Sequence, residues 1–102
     1  MFIKPKKSLG QNFLIDHNIL EQIVSTVEIT NKEVLEIGPG SGNLTSFILK
    51  KNPKKVYAIE KDDELALLLK DKFTDEITII NDDVLKISED KISSEKLTVF
   101  GN

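Results

Sequence analysis

The feature that most constrains this chain is the junction at residues 34–44, where Val34-Leu35-Glu36-Ile37 runs directly into Gly38-Pro39-Gly40-Ser41-Gly42-Asn43-Leu44. A short apolar, β-rich run that stops at glycines reads as a buried strand. Leu44, Phe47 and Ile48 then recur at helical spacing, and that helix ends near Asn52-Pro53. A strand that turns through glycines into a helix is the geometry that brings backbone amides close to a ligand.

The same alternation runs through the rest of the chain. Asp16 is placed to cap a helix whose apolar face is Ile19, Leu20, Ile23, Val24 and Val27. Val56-Tyr57-Ala58-Ile59 is a second strand. Asp62, Asp63 and Glu64 follow where a helix N-terminus favours negative charge, with Leu65, Leu68, Leu69 and Phe73 on one face. Ile77–Ile80 and Leu97–Phe100 are the third and fourth strands, and residues 88–94 between them form a short helix or a loop. Strands alternating with helices predict a parallel sheet with crossovers, and near-continuous apolar strands agree because parallel strands are covered on both faces. The expected fold is α/β, doubly wound and Rossmann-like. Four strands make only a truncated sheet, so the chain is expected to be a fragment with an apolar edge open to self-association.

Charge and composition narrow the function classes. The chain has 102 residues, no cysteine and a formal net charge of -3. Disulfides and thiolate metal sites are excluded, which fits a reducing, cytoplasmic setting. No secretory h-region and no apolar run of about 18 residues appears, so a soluble protein without membrane attachment is expected. The acidic balance argues against nonspecific nucleic-acid binding by the whole chain. Lys4, Lys6 and Lys7, however, precede the first acid, Asp16, and form a cationic patch that is either a solvated tail or a contact for RNA phosphates. Every basic residue is lysine, so bidentate base readout by arginine is absent. His17 reads as a surface residue and Tyr57 as packing; Phe13 is divided between a core anchor and a lid.

Two strand ends carry the candidate site. Glu60 closes the second strand eighteen positions after Gly42, near the ~20 expected for an acid that grips ribose hydroxyls. The third strand ends in Asn81-Asp82-Asp83-Val84, where an acid can accept from an adenine amino group and the Val84 N–H can donate to the ring, or where a plain Asx turn can sit. Spacing does not decide which aspartate faces inward. The glycines at 38, 40 and 42, with Asn43 in place of the glycine a dinucleotide fingerprint requires, resemble those of class I methyltransferases.

Three stretches in order make the resemblance specific: Lys7-Ser8-Leu9-Gly10-Gln11-Asn12-Phe13-Leu14, Val34-Leu35-Glu36-Ile37-Gly38-Pro39-Gly40, and the terminal Val99-Phe100-Gly101-Asn102. Together they closely resemble the small-subunit ribosomal RNA adenine N6,N6-dimethyltransferases over essentially the whole chain. The resemblance implies transfer of methyl groups from S-adenosyl-L-methionine to N6 of two adjacent adenosines near the 3′ end of small-subunit (16S) rRNA, without a metal, as part of ribosome biogenesis. It implies that residues 1–15 close over the cofactor and that residues 16–102 are the N-terminal part of the catalytic domain. Asn12, Leu14, Gly38, Gly40, Glu60, Lys61, Asp83 and Val84 would contact the cofactor. Asn102, the first residue of the family's Asn-Leu-Pro-Tyr motif, would serve both cofactor and catalysis, and Lys4, Lys6 and Lys7 would contact RNA. The Leu, Pro and Tyr of that motif are not in this sequence, so the chain itself is expected to bind cofactor at most; the full-length enzyme is expected to be monomeric. The alternatives are the sister branch that methylates large-subunit (23S) rRNA, disfavoured by Leu9-Gly10 and Pro39, a nicotinamide-dependent oxidoreductase, disfavoured by Asn43, and a non-enzymatic ribosome assembly factor.

Overall fold

The computed structural model describes residues 16–101. Asp16 caps α1 (His17–Ser25), its carboxylate accepting from the amides of Asn18 at 2.9 Å and Ile19 at 3.3 Å. These are donors that a helix start otherwise leaves without partners. Val24 is fully buried and Leu20 and Ile23 pack beside it. The sequence periodicity overran at both edges of this face. The helix stops at Ser25, the Thr26 hydroxyl bonds the Ile23 carbonyl at 2.7 Å, and Val27 emerges half-exposed, as does Ile19.

Four strands follow the expected alternation: β1 (Glu33–Ile37), β2 (Lys55–Ile59), β3 (Thr78–Ile80) and β4 (Leu97–Gly101). They pair in the order β3-β2-β1-β4, every pair parallel, with Ile37 opposite both Ile59 and Gly101, and Ile59 opposite Ile80. This register brings the carboxyl ends of all four strands to one edge of the sheet. Gly38, Glu60 and Asn81, each the first residue past its strand, therefore start from the same level.

The helices α2 (Asn43–Leu49) and α3 (Asp63–Phe73) join α1 on one face of the sheet. Val34, Val56, Ala58 and Phe100 from the strands meet Leu44, Ile48, Leu69 and Phe73 there. On α3 the buried positions are Ala66, Leu69 and Phe73. Leu68, expected on that face, is instead 61% exposed beside Leu67. Spacings of three and four from Ala66 select a stripe slightly rotated from the one the leucines suggested. Asp62 caps α3 through the amides of Glu64 and Leu65, with Asp63 and Glu64 in the first turn and Lys70 and Lys72 in the last, the charge order a helix dipole favours.

The opposite face is covered by the connection from β3 to β4. Val84, Ile87 and Ile92 lie over Leu35, Tyr57 and Ile59. Within that connection α4 (Glu89–Ile92) is a single turn, and the Ser93 hydroxyl reaches Glu33 of β1 at 2.5 Å. The stretch left open as helix or loop is thus both. At the β4 edge Phe100 is buried while Val99 is half-exposed. No helix among the described residues is long and apolar enough to cross a membrane.

Ile48 and Leu68 provide a direct contrast. Truncating fully buried Ile48 to Ala is expected to cost about 2–4 kcal/mol in urea unfolding, whereas Leu68→Ala should stay within about 0.5 kcal/mol. Equal losses at the two positions would contradict this packing.

Candidate functional site

The turn after β1 is secured from three sides. The Gly38 amide donates to the Ile59 carbonyl at 2.9 Å, the Gly42 amide to the Pro39 carbonyl at 2.9 Å, and the Gly40 amide to Oε1 of Glu60 at 3.1 Å. All three glycine amides are therefore engaged within the protein. What this turn offers is therefore close approach to its backbone.

Two of the glycines do different work. All three have positive φ, a conformation L side chains adopt only at a cost. At Gly42 an added Cβ would lie 2.6 Å from the Phe73 ring and 3.1 Å from Leu69, so this glycine lets α3 pack against the turn. At Gly40 an added Cβ would meet nothing within 4 Å. Its open side is free for a ligand. Lys72 of α3 adds a second hold, donating to the Ser41 carbonyl at 3.1 Å.

Glu60 is the centre of the arrangement. It is only 6% exposed, which excludes a solvated strand-end acid. Besides the Gly40 contact, its Oε2 accepts from the Asp62 amide at 3.0 Å, and its own backbone amide donates to Ile80 at 3.0 Å. The Asn81 side chain in turn donates to the Glu60 carbonyl at 2.9 Å. One carboxylate thus joins the β1 turn to the start of α3, and the end of β3 is tied to the same residue.

Of the two aspartates beyond β3, Asp83 is the more enclosed. Its Oδ1 accepts from the Leu85 amide at 2.9 Å, an Asx turn, while Oδ2 lies 3.9 Å from exposed Lys61. Asp82 is exposed and accepts from the Asp83 amide at 2.7 Å. The Asx turn uses one carboxylate oxygen and leaves the other. Val84 sits next along the chain, half-buried against the second core. The structure therefore brings Gly38, Gly40, Glu60, Lys61, Asp83 and Val84 to one end of the sheet. Lys4, Lys6, Lys7, Asn12, Phe13, Leu14 and Asn102 lie outside the described residues. Among the described residues no cluster of His, Asp or Glu could hold a metal ion. His17 is exposed, its ring edge-on to Phe47 at 5.5 Å.

Sequence reasoning missed Glu36 and Thr45. Both are buried, and the Thr45 hydroxyl donates to the Glu36 carboxyl. Burial pushes the Glu36 pKa up from 4.5 to about 7, opposed by the Thr45 hydrogen bond and helped by the negative charge of Glu60. The signal was present: a carboxylate inside a strand covered on both faces has no route to solvent.

The parallel sheet, the glycine turn after β1 and the buried acid ending β2 define a Rossmann-like class I S-adenosylmethionine-dependent methyltransferase fold. Solved structures share it. The 23S rRNA methyltransferase ErmE matches with a TM-score of 0.76 and 31% identity, covering 88% of this chain and 36% of that one. A dimethyladenosine transferase from Plasmodium falciparum matches with a TM-score of 0.72 and 27% identity, over 89% of this chain and 33% of that one. The family model for ribosomal RNA adenine dimethylase matches residues 3–102. The ribosomal RNA small subunit methyltransferase A of Pelagibacter ubique (strain HTCC1062) is 72% identical over all of this chain and 39% of its own length. That of Sulfurihydrogenibium sp. (strain YO3AOP1) is 42% identical over 98% of this chain and 41% of its own. The chain belongs to the ribosomal RNA adenine dimethylase family. It spans about two fifths of the length of these curated relatives.

Two predictions follow from the geometry of the turn. Gly42→Ala is expected to destabilise the chain by about 2–4 kcal/mol, through backbone strain plus the clash with Phe73, and Gly40→Ala by about 1 kcal/mol, through strain alone. Thermal or urea unfolding of the pair checks the order.

The second concerns pH. A carboxyl with a raised folded pKa keeps its proton longer folded than unfolded, so its burial is harmless below pH 4.5. Stability then falls as pH rises from there to about 7 and is level beyond. Glu36→Gln removes this dependence, and its stability relative to the parent chain should rise by roughly 1–3 kcal/mol between pH 5 and pH 8. A constant difference across that range would contradict the assignment.

Proposed function

We propose that this chain forms the S-adenosyl-L-methionine-binding part of an enzyme that dimethylates N6 of two adjacent adenosines near the 3′ end of small-subunit (16S) rRNA, in the cytoplasm, during ribosome biogenesis. The observation that carries this reading is the buried Glu60 carboxylate bridging the Gly40 and Asp62 amides beside a glycine turn with an open backbone face.

The residues fit the cofactor. Each oxygen of Glu60 receives one backbone amide and retains a lone pair, so the carboxylate can accept from both ribose hydroxyls while staying fixed. The open side of Gly40 admits the methionine part without a side chain in the way, with Gly38 beside it. Asp83 accepts from the adenine amino group with the oxygen its Asx turn leaves over, the Val84 amide donates to the ring, and Lys61 balances the charge of Asp83 at the rim. When bound, the cofactor supplies an electrophilic methyl on a sulfonium, already a good leaving group.

Asn102 accepts the amino hydrogens of the target adenine, whose delocalised lone pair makes N6 a poor nucleophile, and so turns it toward the methyl. Orientation is then the main contribution of the protein. Asn12 and Leu14 close over the cofactor, residues 1–15 acting as its cover, and Lys4, Lys6 and Lys7 meet rRNA phosphates. The small-subunit target is supported by the names of relatives at 72% and 42% identity, against 31% for the 23S rRNA enzyme.

Calorimetric titration of this chain with S-adenosyl-L-methionine tests the reading. Saturable binding is expected, weakened about a hundredfold or more in Glu60→Ala because two charge-assisted acceptors are lost. A folded chain that binds NADH in preference would overturn it.

A further inference from the structure

The turn between β1 and α2 is fastened at two heights. At its tip, Glu60 holds the Gly40 amide. At its base, Glu36 of β1 meets the hydroxyl of Thr45, in the first turn of α2, so that one hydrogen bond spans the nine positions that enclose the turn. Both carboxyls are buried, at 3% and 6% exposure. Two acids in one enclosed place is an expensive arrangement unless one of them is kept neutral or does something with its position.

We propose that Glu36 is a positioning residue of the cofactor site: through Thr45 it closes the base of the glycine turn, and it thereby sets where the Gly40 backbone stands relative to Glu60. The proposal rests on the reading of this turn as the cofactor loop. Its role is distinct from that of Glu60, because Glu36 acts through its bond to Thr45.

The surroundings of Glu36 explain how the position depends on its proton. Across the sheet its register neighbours are Ala58 on β2 and Phe100 on β4, neither ionisable. From α2 it meets Thr45, and from the end of β2 the charge of Glu60, which is the one ionisable group that bears on it among the described residues. The protonated acid satisfies Thr45 without opposing Glu60. Ionisation places a second negative charge beside the first where water cannot screen it, and relief requires the two carboxyls to separate. The segment that must yield is the turn, since Glu60 is bonded to its tip and Glu36 to its base. Thr45 is the counterpart, and its hydroxyl is the group that makes a carboxyl, an amide or nothing distinguishable at position 36.

The experiment measures binding of S-adenosylhomocysteine, a ligand without the sulfonium charge, to this chain by calorimetry from pH 6 to pH 8.5. For the parent chain the Kd is expected to rise about tenfold over that range, the change that one unit of coupling between two groups produces. In Glu36→Gln, whose amide still accepts from Thr45 and cannot ionise, the Kd should vary less than about twofold across the same range. Glu36→Ala should bind about tenfold more weakly than Glu36→Gln at pH 6, a rescue by shape and hydrogen bonding that a merely space-filling residue would not show.

A flat profile in the parent chain overturns the proposal, and so does a Glu36→Gln chain that keeps the parent's slope. The amide resonance of Gly40 followed by NMR without ligand is the second readout. A transition near pH 7 in the parent, absent in Glu36→Gln, supports the proposal even if Glu36→Ala does not fold, and its absence in the parent counts against it. If neither chain binds the ligand at any pH, the cofactor reading fails, and the Gly40 titration alone decides whether Glu36 positions the turn.

Discussion

The carboxyl-terminal edge of the sheet depends on one carboxylate in a place where a carboxylate is costly. Glu60 is almost fully enclosed at the end of β2, and burial of an ionised acid is tolerated only when hydrogen bonds replace the water it loses. Gly40 and Asp62 supply those bonds from two different segments, and Asn81 adds a third segment through the Glu60 carbonyl. Satisfying the charge therefore assembles the site. The β1 turn and the start of α3 have to come together for the acid to be stable where it is, and Asn81 ties the end of β3 to the backbone of the same residue.

This demand explains the use of the glycines. Positive φ at Gly38, Gly40 and Gly42 tightens the turn enough for the Gly40 amide to face Glu60. At Gly42 the missing side chain also lets Phe73 lie against the turn, so α3 supports from behind what Glu60 fastens in front. A fold that needs both contacts cannot vary these positions independently. The openness above Gly40 is the remainder: a face of the turn that packing among the described residues does not use.

The scaffold recurs in solved methyltransferases. ErmE, named for 23S rRNA, superposes on this chain with a TM-score of 0.76, and the dimethyladenosine transferase of Plasmodium falciparum with 0.72. A sheet common to both does not by itself separate their substrates. What the sheet supplies is a strand edge at which a glycine turn and two acidic strand ends meet, and function is added around it by other residues.

How much of this was legible beforehand follows from what each signal depends on. The order of elements could be read because apolar periodicity and local capping are properties of neighbouring residues: Asp16 before α1 and Asp62 before α3 cap through amides two and three positions away. The glycine turn and Glu60 could be placed because their spacing along the chain reflects one strand-helix-strand unit. Family membership was legible from three short motifs in order. Other facts needed the tertiary structure. Periodicity cannot fix the rotation of a helix against a sheet it has not met, so Leu68 and Val27 were assigned to the core and stand outside it. The strand order β3-β2-β1-β4 is a matter of which edges pair. That Asp83 is more enclosed than Asp82 depended on how the chain turns after β3. Glu36 and Thr45 met only when β1 and α2 closed around the turn, because a hydrogen bond between buried side chains is decided by the shape of the space they share and leaves no trace in either residue's immediate neighbours.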